Sequence, residues 1–294
     1  MPSRSRSRSR TTGPVSVRPA GRRRLPRLAA TALTATALLA GATAPAQAKT
    51  TRPLPIILHP DRDFAGSTVA AHEGRSGPAA PHSRSAAQTQ GMDVSSYQGN
   101  VDWSAAVSKG ARFAYLKATE GTTYTNPYFY GQSGGSFDAG VIRGAYHFAL
   151  PNTSGGAVQA NWFVDHGGGW TPDGLTLPPA LDIEYNPYGA SCYGLSQSAM
   201  VGWIREFSDT VHDRTGRYPM IYTTTAWWTS CTGNDGGFGE TNPLWVARYA
   251  SSVGTLPAGW KFQTIWQYSD SGSLPGDQDY FNGALDRVRA TANG

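Results

Sequence analysis

Residues 91–294 predict an α/β domain in which a mostly parallel sheet closes into a small barrel. Three observations carry this expectation. Short apolar runs alternate with helix-like stretches over about 200 residues, the pattern of repeated strand–helix units. The spacing tightens after residue 240, so the last apolar runs leave little room for helices between them. Aromatic side chains concentrate in the same region: all 9 Trp, all 14 Tyr and 9 of the 10 Phe lie after residue 90.

The elements follow in order. Met92–Val94 reads as a strand and Asp102–Ser108 as a helix. Phe113–Ala118 reads as a strand and Pro127–Ala139 as a helix, then Val141–Phe148 and Gly155–Asp165 repeat the pair. Pro179–Glu184 is a fourth strand, followed by a long helix from Ser196 to about Thr215 with Ser196 as its N-cap. Pro219–Thr223 is a fifth strand, with a short helix across Ala226–Trp228. Leu244–Tyr249 and Phe262–Tyr268 are strands, and Asp277 opens a short eighth.

The chain ahead of this domain has a different texture. Its 294 residues carry a net charge of +5, unevenly spread: +9 over residues 1–48, +2 over 49–90 and −6 over 91–294. A domain at −6 lacks the basic face that nucleic acid requires. Residues 1–48 show an arginine-rich front, an apolar run from Leu28 to Ala40, and Ala46-Gln47-Ala48, an A-x-A cleavage pattern. That is a secretory signal peptide, with the twin-arginine route left open by its paired arginines. The run is too short and too rich in Ala and Thr to span a bilayer. The mature chain is therefore expected outside the cell, with no membrane partner. Residues 49–90 hold one aromatic, Phe64, amid Pro, Ser, Gly, Ala and Arg. Such a composition buries little apolar surface and reads as a flexible linker or propeptide.

Active sites of such barrels gather at the C-terminal ends of the strands. Asp93 lies there on the first strand, Asp182 and Glu184 on the fourth, and Asp277 after the seventh. Positions i and i+2 of a strand share a face, so Asp182 and Glu184 point together while Leu181 and Ile183 pack the other way. Two crowded carboxyls cannot both ionise freely, so one is raised into the range of a general acid. Ion pairing with Lys117, Arg143 or Arg248 is the structural alternative. Tyr97, Tyr146, Tyr185, Trp245 and Trp266 lie near the same strand ends, and aromatic faces beside carboxylates suit carbohydrate.

Other signals carry less. Gly131-Gln132-Ser133-Gly134-Gly135 matches G-x-S-x-G but follows a helix-like stretch rather than a strand. His147, His166 and His212 have no ligand spacing, so neither a metal nor any other cofactor is expected. His147 reads as a packed core histidine. Cys192 and Cys231 are the only cysteines, and in an exported chain they are expected to form a disulfide.

Five motifs occur in fixed order: Gly91-Met92-Asp93-Val94-Ser95, Lys117-Ala118-Thr119-Glu120-Gly121, Gly144-Ala145-Tyr146-His147-Phe148, Leu181-Asp182-Ile183-Glu184 and Asp277-Gln278-Asp279-Tyr280-Phe281-Asn282-Gly283. Together they resemble the glycoside hydrolase family 25 lysozymes, the Chalaropsis-type N-acetylmuramidases, and above all their secreted Streptomyces members. The resemblance spans about residues 91–290 and implies a modified TIM-like barrel, five β/α units followed by three strands with few helices. It implies hydrolysis of the β-1,4 bond between N-acetylmuramic acid and N-acetylglucosamine in peptidoglycan, with 6-O-acetylated muramic acid accepted by some members. Carried over by position, Glu184 matches the proton donor and Asp182 the assisting carboxylate. Asp93 and Asp277 complete the acidic set, with Asp279 as the alternative to Asp277. Tyr146, Lys117, Glu120, Tyr185, Trp266, Gln267 and Arg248 form the expected substrate-binding set.

The expected partner is thus a peptidoglycan glycan strand, met by a monomer. Two other readings stand beside this one. The first is a non-catalytic wall-binding module on the same fold, which the intact acidic set disfavours. The second is a chitin-directed retaining glycosidase, but the D-x-x-D-x-D-x-E pattern is absent ahead of Asp182, where the chain reads Leu177-Pro178-Pro179-Ala180-Leu181.

Overall fold

A computed structural model of the chain describes residues 62–76 and 88–294. The expected signal peptide lies outside the described residues. The first element is a short helix, α1 (Val69–Glu73). Five β/α units follow: β1 (Thr89–Val94) with α2 (Trp103–Ser108); β2 (Phe113–Glu120), its hairpin arm β3 (Tyr124–Thr125) and α3 (Phe129–Asp138); β4 (Ile142–Phe148) with α4 (Gly156–Asp165); β5 (Ala180–Asp182) with α5 (Gln197–Thr215); β6 (Met220–Thr223) with α6 (Thr225–Thr232). Three strands without helices between them come next: β7 (Leu244–Ala247), β8 (Ile265–Ser269) and β9 (Asp277–Phe281), and α7 (Leu285–Asn293) ends the chain.

Local chemistry explains the boundaries. Asp102 caps α2 by accepting from the Ala105 N–H at 2.9 Å. Ser196 caps α5 as expected, accepting from the Ala199 N–H at 3.3 Å. Gly216 ends α5 in the left-handed region at φ 74°, which costs a glycine nothing. The strands pair in the order β1-β9-β8-β7-β6-β5-β4-β2-β3, and β1 also pairs with β2. Eight strands therefore close into a barrel, with β3 hanging outside. All neighbours are parallel except at β9, which runs antiparallel to both β8 and β1, and at the β2–β3 arm. The expected five units and three late strands are what the chain forms.

The barrel interior is packed with side chains, not open. Phe113, Tyr115, Tyr146, Tyr222, Trp245 and Ile265 belong to one buried cluster. Tyr115 stacks on Trp245 at 4.8 Å, and Tyr222 meets Trp245 edge-on at 4.7 Å. Gly144 makes room for this layer, because a Cβ there would lie 2.4 Å from the Tyr115 ring. The outer cluster, Met92, Leu116, Leu181, Ile183, Trp203 and Phe207 among it, fills the space between strands and helices. Below, β9 leaves the barrel where Phe281 pairs with Thr89. There α7 turns under the barrel and adds Val288 and Ala292 to the interior cluster.

Differences from expectation are local. The fourth strand is shorter than Pro179–Glu184, since its ladder ends at Asp182. The arm β3 and the helix α7 were not anticipated, the first because it is two residues long and the second because only Val288 and Ala292 of α7 are buried. The largest difference is at residues 62–76. This part of the expected flexible linker is folded, with Ala65 and Val69 fully buried.

Candidate active site

The carboxylates expected at the strand ends meet at one mouth of the barrel. Asp93 pairs in register with Asp277, so β1 and β9 place the two side by side. Asp182 ends β5, and Glu184 follows two residues on, held extended as the Ile183 N–H donates to the Tyr222 carbonyl at 3.0 Å. Leu181 and Ile183 lie in the outer cluster, so Asp182 and Glu184 face inward. Gln267 links the set. Its Nε2 donates to Asp93 Oδ2 at 2.8 Å and to Asp277 Oδ2 at 3.4 Å, while its Oε1 accepts from Tyr222 at 2.8 Å and Tyr249 at 3.1 Å.

Burial dominates the electrostatics. Asp93, Asp182 and Glu184 are at most 2% exposed. Burial pushes Glu184 up to about 7, and hydrogen bonds from Thr68 and Gly66 oppose the rise. Asp93 is also pushed up to about 7 by burial, tempered by Gln267. Asp182 has no hydrogen-bond partner on either oxygen. Burial, reinforced by the charge of Glu184, holds it well above the ordinary carboxylate range. Asp277 and Asp279 are raised for the same first reason, with Asp93 as the next cause for each. The two differ in depth. Asp277 sits at the rim within the field of Glu184, whereas Asp279 pairs with Gly91 lower down and accepts from the Trp245 indole at 2.9 Å. A group of carboxyls that exchange protons near neutral pH can donate one to a leaving oxygen and shield a cation.

The other expected residues divide by strand face. Lys117 is fully buried, ion-paired with Glu120 at 2.6 Å and Asp63 at 3.3 Å, and it packs against the Tyr124 and Phe148 rings. Glu120 also accepts from Tyr188 at 2.9 Å. Tyr146 is fully buried inside the barrel, and its hydroxyl accepts from the Ala65 N–H at 3.3 Å. Half-buried Tyr185 donates to Glu73 at 2.9 Å and stacks on His72 at 4.0 Å. Half-buried Arg248 lines an open depression of about 470 Å³ with Glu73 and Thr225. Trp266 stands apart. It belongs to the outer cluster, with its indole donating to the Arg248 carbonyl at 2.9 Å, because alternation along β8 turns Gln267 inward and its neighbour outward.

Residues 62–76 were not expected in this group. The Gly66 N–H donates to Glu184 Oε1 at 2.7 Å, and the Thr68 hydroxyl donates to Oε2 at 2.6 Å. The Ala65 carbonyl accepts from Gln267 at 3.0 Å and the Gly66 carbonyl from Tyr249 at 3.0 Å. Tyr222 and Tyr249, through Gln267, and Tyr188, through Glu120, join the same hydrogen-bond network without having been expected there. Their signal was the one used for Tyr146, an aromatic near a strand end.

Three set-aside signals resolve. Gly131–Gly135 lies inside α3, so Ser133 has no strand-to-helix turn to sharpen it. His147 is buried between Thr119 at 2.8 Å and Gln159 at 2.9 Å, and burial lowers it to about 3, a neutral core histidine. Cys192 and Cys231 are joined, tying the loop after β5 to α6.

The sequence pattern of the Glycosyl hydrolases family 25 matches residues 92–277. An N,O-diacetylmuramidase from Chalaropsis sp is 52% identical over 209 residues, covering 70% of this chain and 99% of the relative. Lysozyme M1 from Streptomyces globisporus is 48% identical, covering 69% of this chain and 71% of its own. Among solved structures, a family GH25 lysozyme from Aspergillus fumigatus superposes with a TM-score of 0.69 at 51% identity, covering 70% of this chain and all of its own. The bacterial lysozyme from Streptomyces coelicolor gives 0.67 at 48% identity, covering 70% and 97%. With five ordered motifs, an eight-stranded barrel with one antiparallel strand and these relatives, the chain is a glycoside hydrolase and belongs to the Glycosyl hydrolases family 25.

Proposed function

We propose that the chain is an exported lysozyme that hydrolyses the β-1,4 bond between N-acetylmuramic acid and N-acetylglucosamine of peptidoglycan. The observation that carries this is geometric: Asp182 and Glu184 face inward together, with Asp93 and Asp277 side by side, at the mouth of a family 25 barrel. Acceptance of 6-O-acetylated muramic acid belongs to the same proposal, supported by the relatives named N,O-diacetylmuramidase, two of which are 52% and 50% identical. Export rests on the pattern at residues 1–48, and no helix among the described residues is long and apolar enough to cross a membrane. The chain acts as a monomer in this reading.

Glu184 gives its proton to the glycosidic oxygen, and N-acetylglucosamine leaves with a free 4-hydroxyl. As the bond to muramic acid C1 lengthens, the ring gains positive charge, which Asp93 and Asp277 stabilise. The acetamido oxygen of the same sugar bonds to C1 and forms an oxazolinium ring, while Asp182 holds the acetamido N–H. Water then bonds to C1, its proton returns to Glu184, and the ring reopens. This route retains configuration. Lys117 and Glu120 position the sugar from β2, and Tyr146, Tyr185, Gln267 and Arg248 contact it from the facing strands.

The test is reducing-sugar release from peptidoglycan beside colloidal chitin, with proton NMR of the first anomer formed. Release from peptidoglycan alone, β-anomer first, is expected. Release from chitin alone overturns the substrate. The α-anomer first recasts Asp182 as the base that activates water.

A further inference from the structure

The geometry points to residues 62–76 as an inhibitory segment of the chain, docked in its own catalytic cleft. The inference rests on reading the mouth around Glu184 as that cleft.

A cleft for a glycan polymer must present its acid to solvent, yet Glu184 is fully buried. The cover is this segment. It supplies donors to both Glu184 oxygens and a carbonyl to each of Gln267, Tyr249 and Lys117. These are the groups a sugar would otherwise engage: a proton donor, an amide, a phenol and an ammonium. The segment spans the mouth. Phe64 lies against Tyr97 at 5.5 Å on one side, and Glu73 accepts from Tyr185 and Thr224 on the other. Beyond it, Arg75 pairs with Asp270, and the Ser76 N–H donates to the Tyr249 carbonyl at 2.8 Å.

The fit is close at one residue. Gly66 has φ +89°, and a Cβ there would lie 2.2 Å from the Tyr249 hydroxyl and 2.5 Å from Gln267 Oε1. Only glycine lets the backbone reach Glu184. The segment also lies outside the matched family region, which begins at residue 92. The contacts are mostly polar and exchangeable, with Ala65 and Val69 as its buried apolar anchors. A catalyst held in this state cannot admit peptidoglycan until the segment leaves.

The experiment compares three proteins on peptidoglycan: the chain from residue 49, the same chain with Gly66→Leu, and the chain from residue 88. The last should fold, since a solved relative is fully covered by 70% of this chain. Near-UV circular dichroism checks each. The chain from residue 88 should be at least about 100-fold faster than the chain from residue 49. Gly66→Leu, outside the barrel, should restore most of that rate. In parallel, a synthetic peptide of residues 62–76 is titrated to millimolar concentration against the chain from residue 88. It should bind, and Glu184→Gln should weaken it about tenfold by replacing one of two acceptor oxygens with a donor. Equal rates for all three active proteins overturn the inference, as does a peptide that fails to bind. A bound peptide weakened by Glu184→Gln, with no protein cleaving peptidoglycan, upholds the inhibitory contact and defeats only the substrate reading.

Discussion

The two mouths of the barrel are closed by opposite chemistry. At the lower mouth, α7 buries Val288 and Ala292 against Phe113, Ile142 and Phe281. At the upper mouth, residues 62–76 bury Ala65 and Val69 but meet the barrel chiefly through hydrogen bonds to Glu184, Gln267, Tyr249 and Lys117. An apolar closure has no competitor in water, because nothing dissolved offers a better surface. A polar closure competes with any ligand that offers the same donors and acceptors, and a net hydrogen bond is worth only about 1 kcal/mol. The lower mouth is thereby part of the fold, and the upper one is a binding site that happens to be filled from within.

The largest effect should come from the covalent tie at the upper rim. Replacing Cys192 and Cys231 by Ser should cost roughly 4 kcal/mol in the chain-entropy model, given their separation of 39 residues. Denaturant melts measure it, and thiol titration of the unreduced, unfolded protein should find none free. Two titratable thiols would show the rim untied.

A matched pair of substitutions sharpens the contrast between mouths. Val288→Asp places a charge in the closed base and should cost about 3 kcal/mol of global stability. Val69→Asp should leave the barrel's own unfolding transition unchanged and free only the upper mouth, seen as faster hydrolysis. Equal loss of stability from both would erase the distinction.

Glu184→Gln in the chain from residue 88 should lower kcat by about 10²-fold while the melting temperature holds. Near-normal turnover by the folded variant would remove Glu184 as the acid.

The most gradual effect is on pH dependence. Asp93 and Glu184 are raised from 3.8 and 4.5 to about 7, chiefly by burial. The folded state therefore binds more protons than the unfolded one between those limits, and stability falls as pH rises from about 4.5 through 7. Each group that holds its proton only in the folded state contributes at most about 1.4 kcal/mol per pH unit across that window. The urea midpoint should be highest near the acid end of that window, and the trend should flatten once residues 62–76 are removed and the mouth is wetted. A midpoint that rises with pH would contradict the burial of the cluster.

Much of this was legible before any coordinates. The alternation of Leu181-Asp182-Ile183-Glu184 put both carboxylates inward, and the loss of helices after residue 240 marked the three closing strands. Trp266 lies in the outer cluster, a placement the sequence does not reveal because alternation fixes which residues share a face, not which face is inside. Gln267, with two hydrogen-bonding ends, is the one the polar mouth selects. Residues 62–76 read as linker because their composition offers so little apolar area. What orders them is a row of backbone donors and acceptors, which every sequence carries and which composition therefore hides.

One consequence follows from the direction of β1. Ser76 bridges to Ala250 at the upper rim, while Thr89 starts β1 at the lower mouth beside Phe281. About a dozen residues connect the two, with a reach of roughly 40 Å when fully extended. The barrel is roughly 25 Å tall, judged by the eight residues of β2. A connection of that length exceeds the height and sets the effective concentration of residues 62–76 at the upper mouth in the millimolar range. A contact of only about 10 μM as a free peptide, readily seen in a titration to millimolar concentration, is thus sufficient to hold the site about 100-fold closed while the chain is whole. A single break in the tether dilutes it away, and ordinary refolding does not reverse that change.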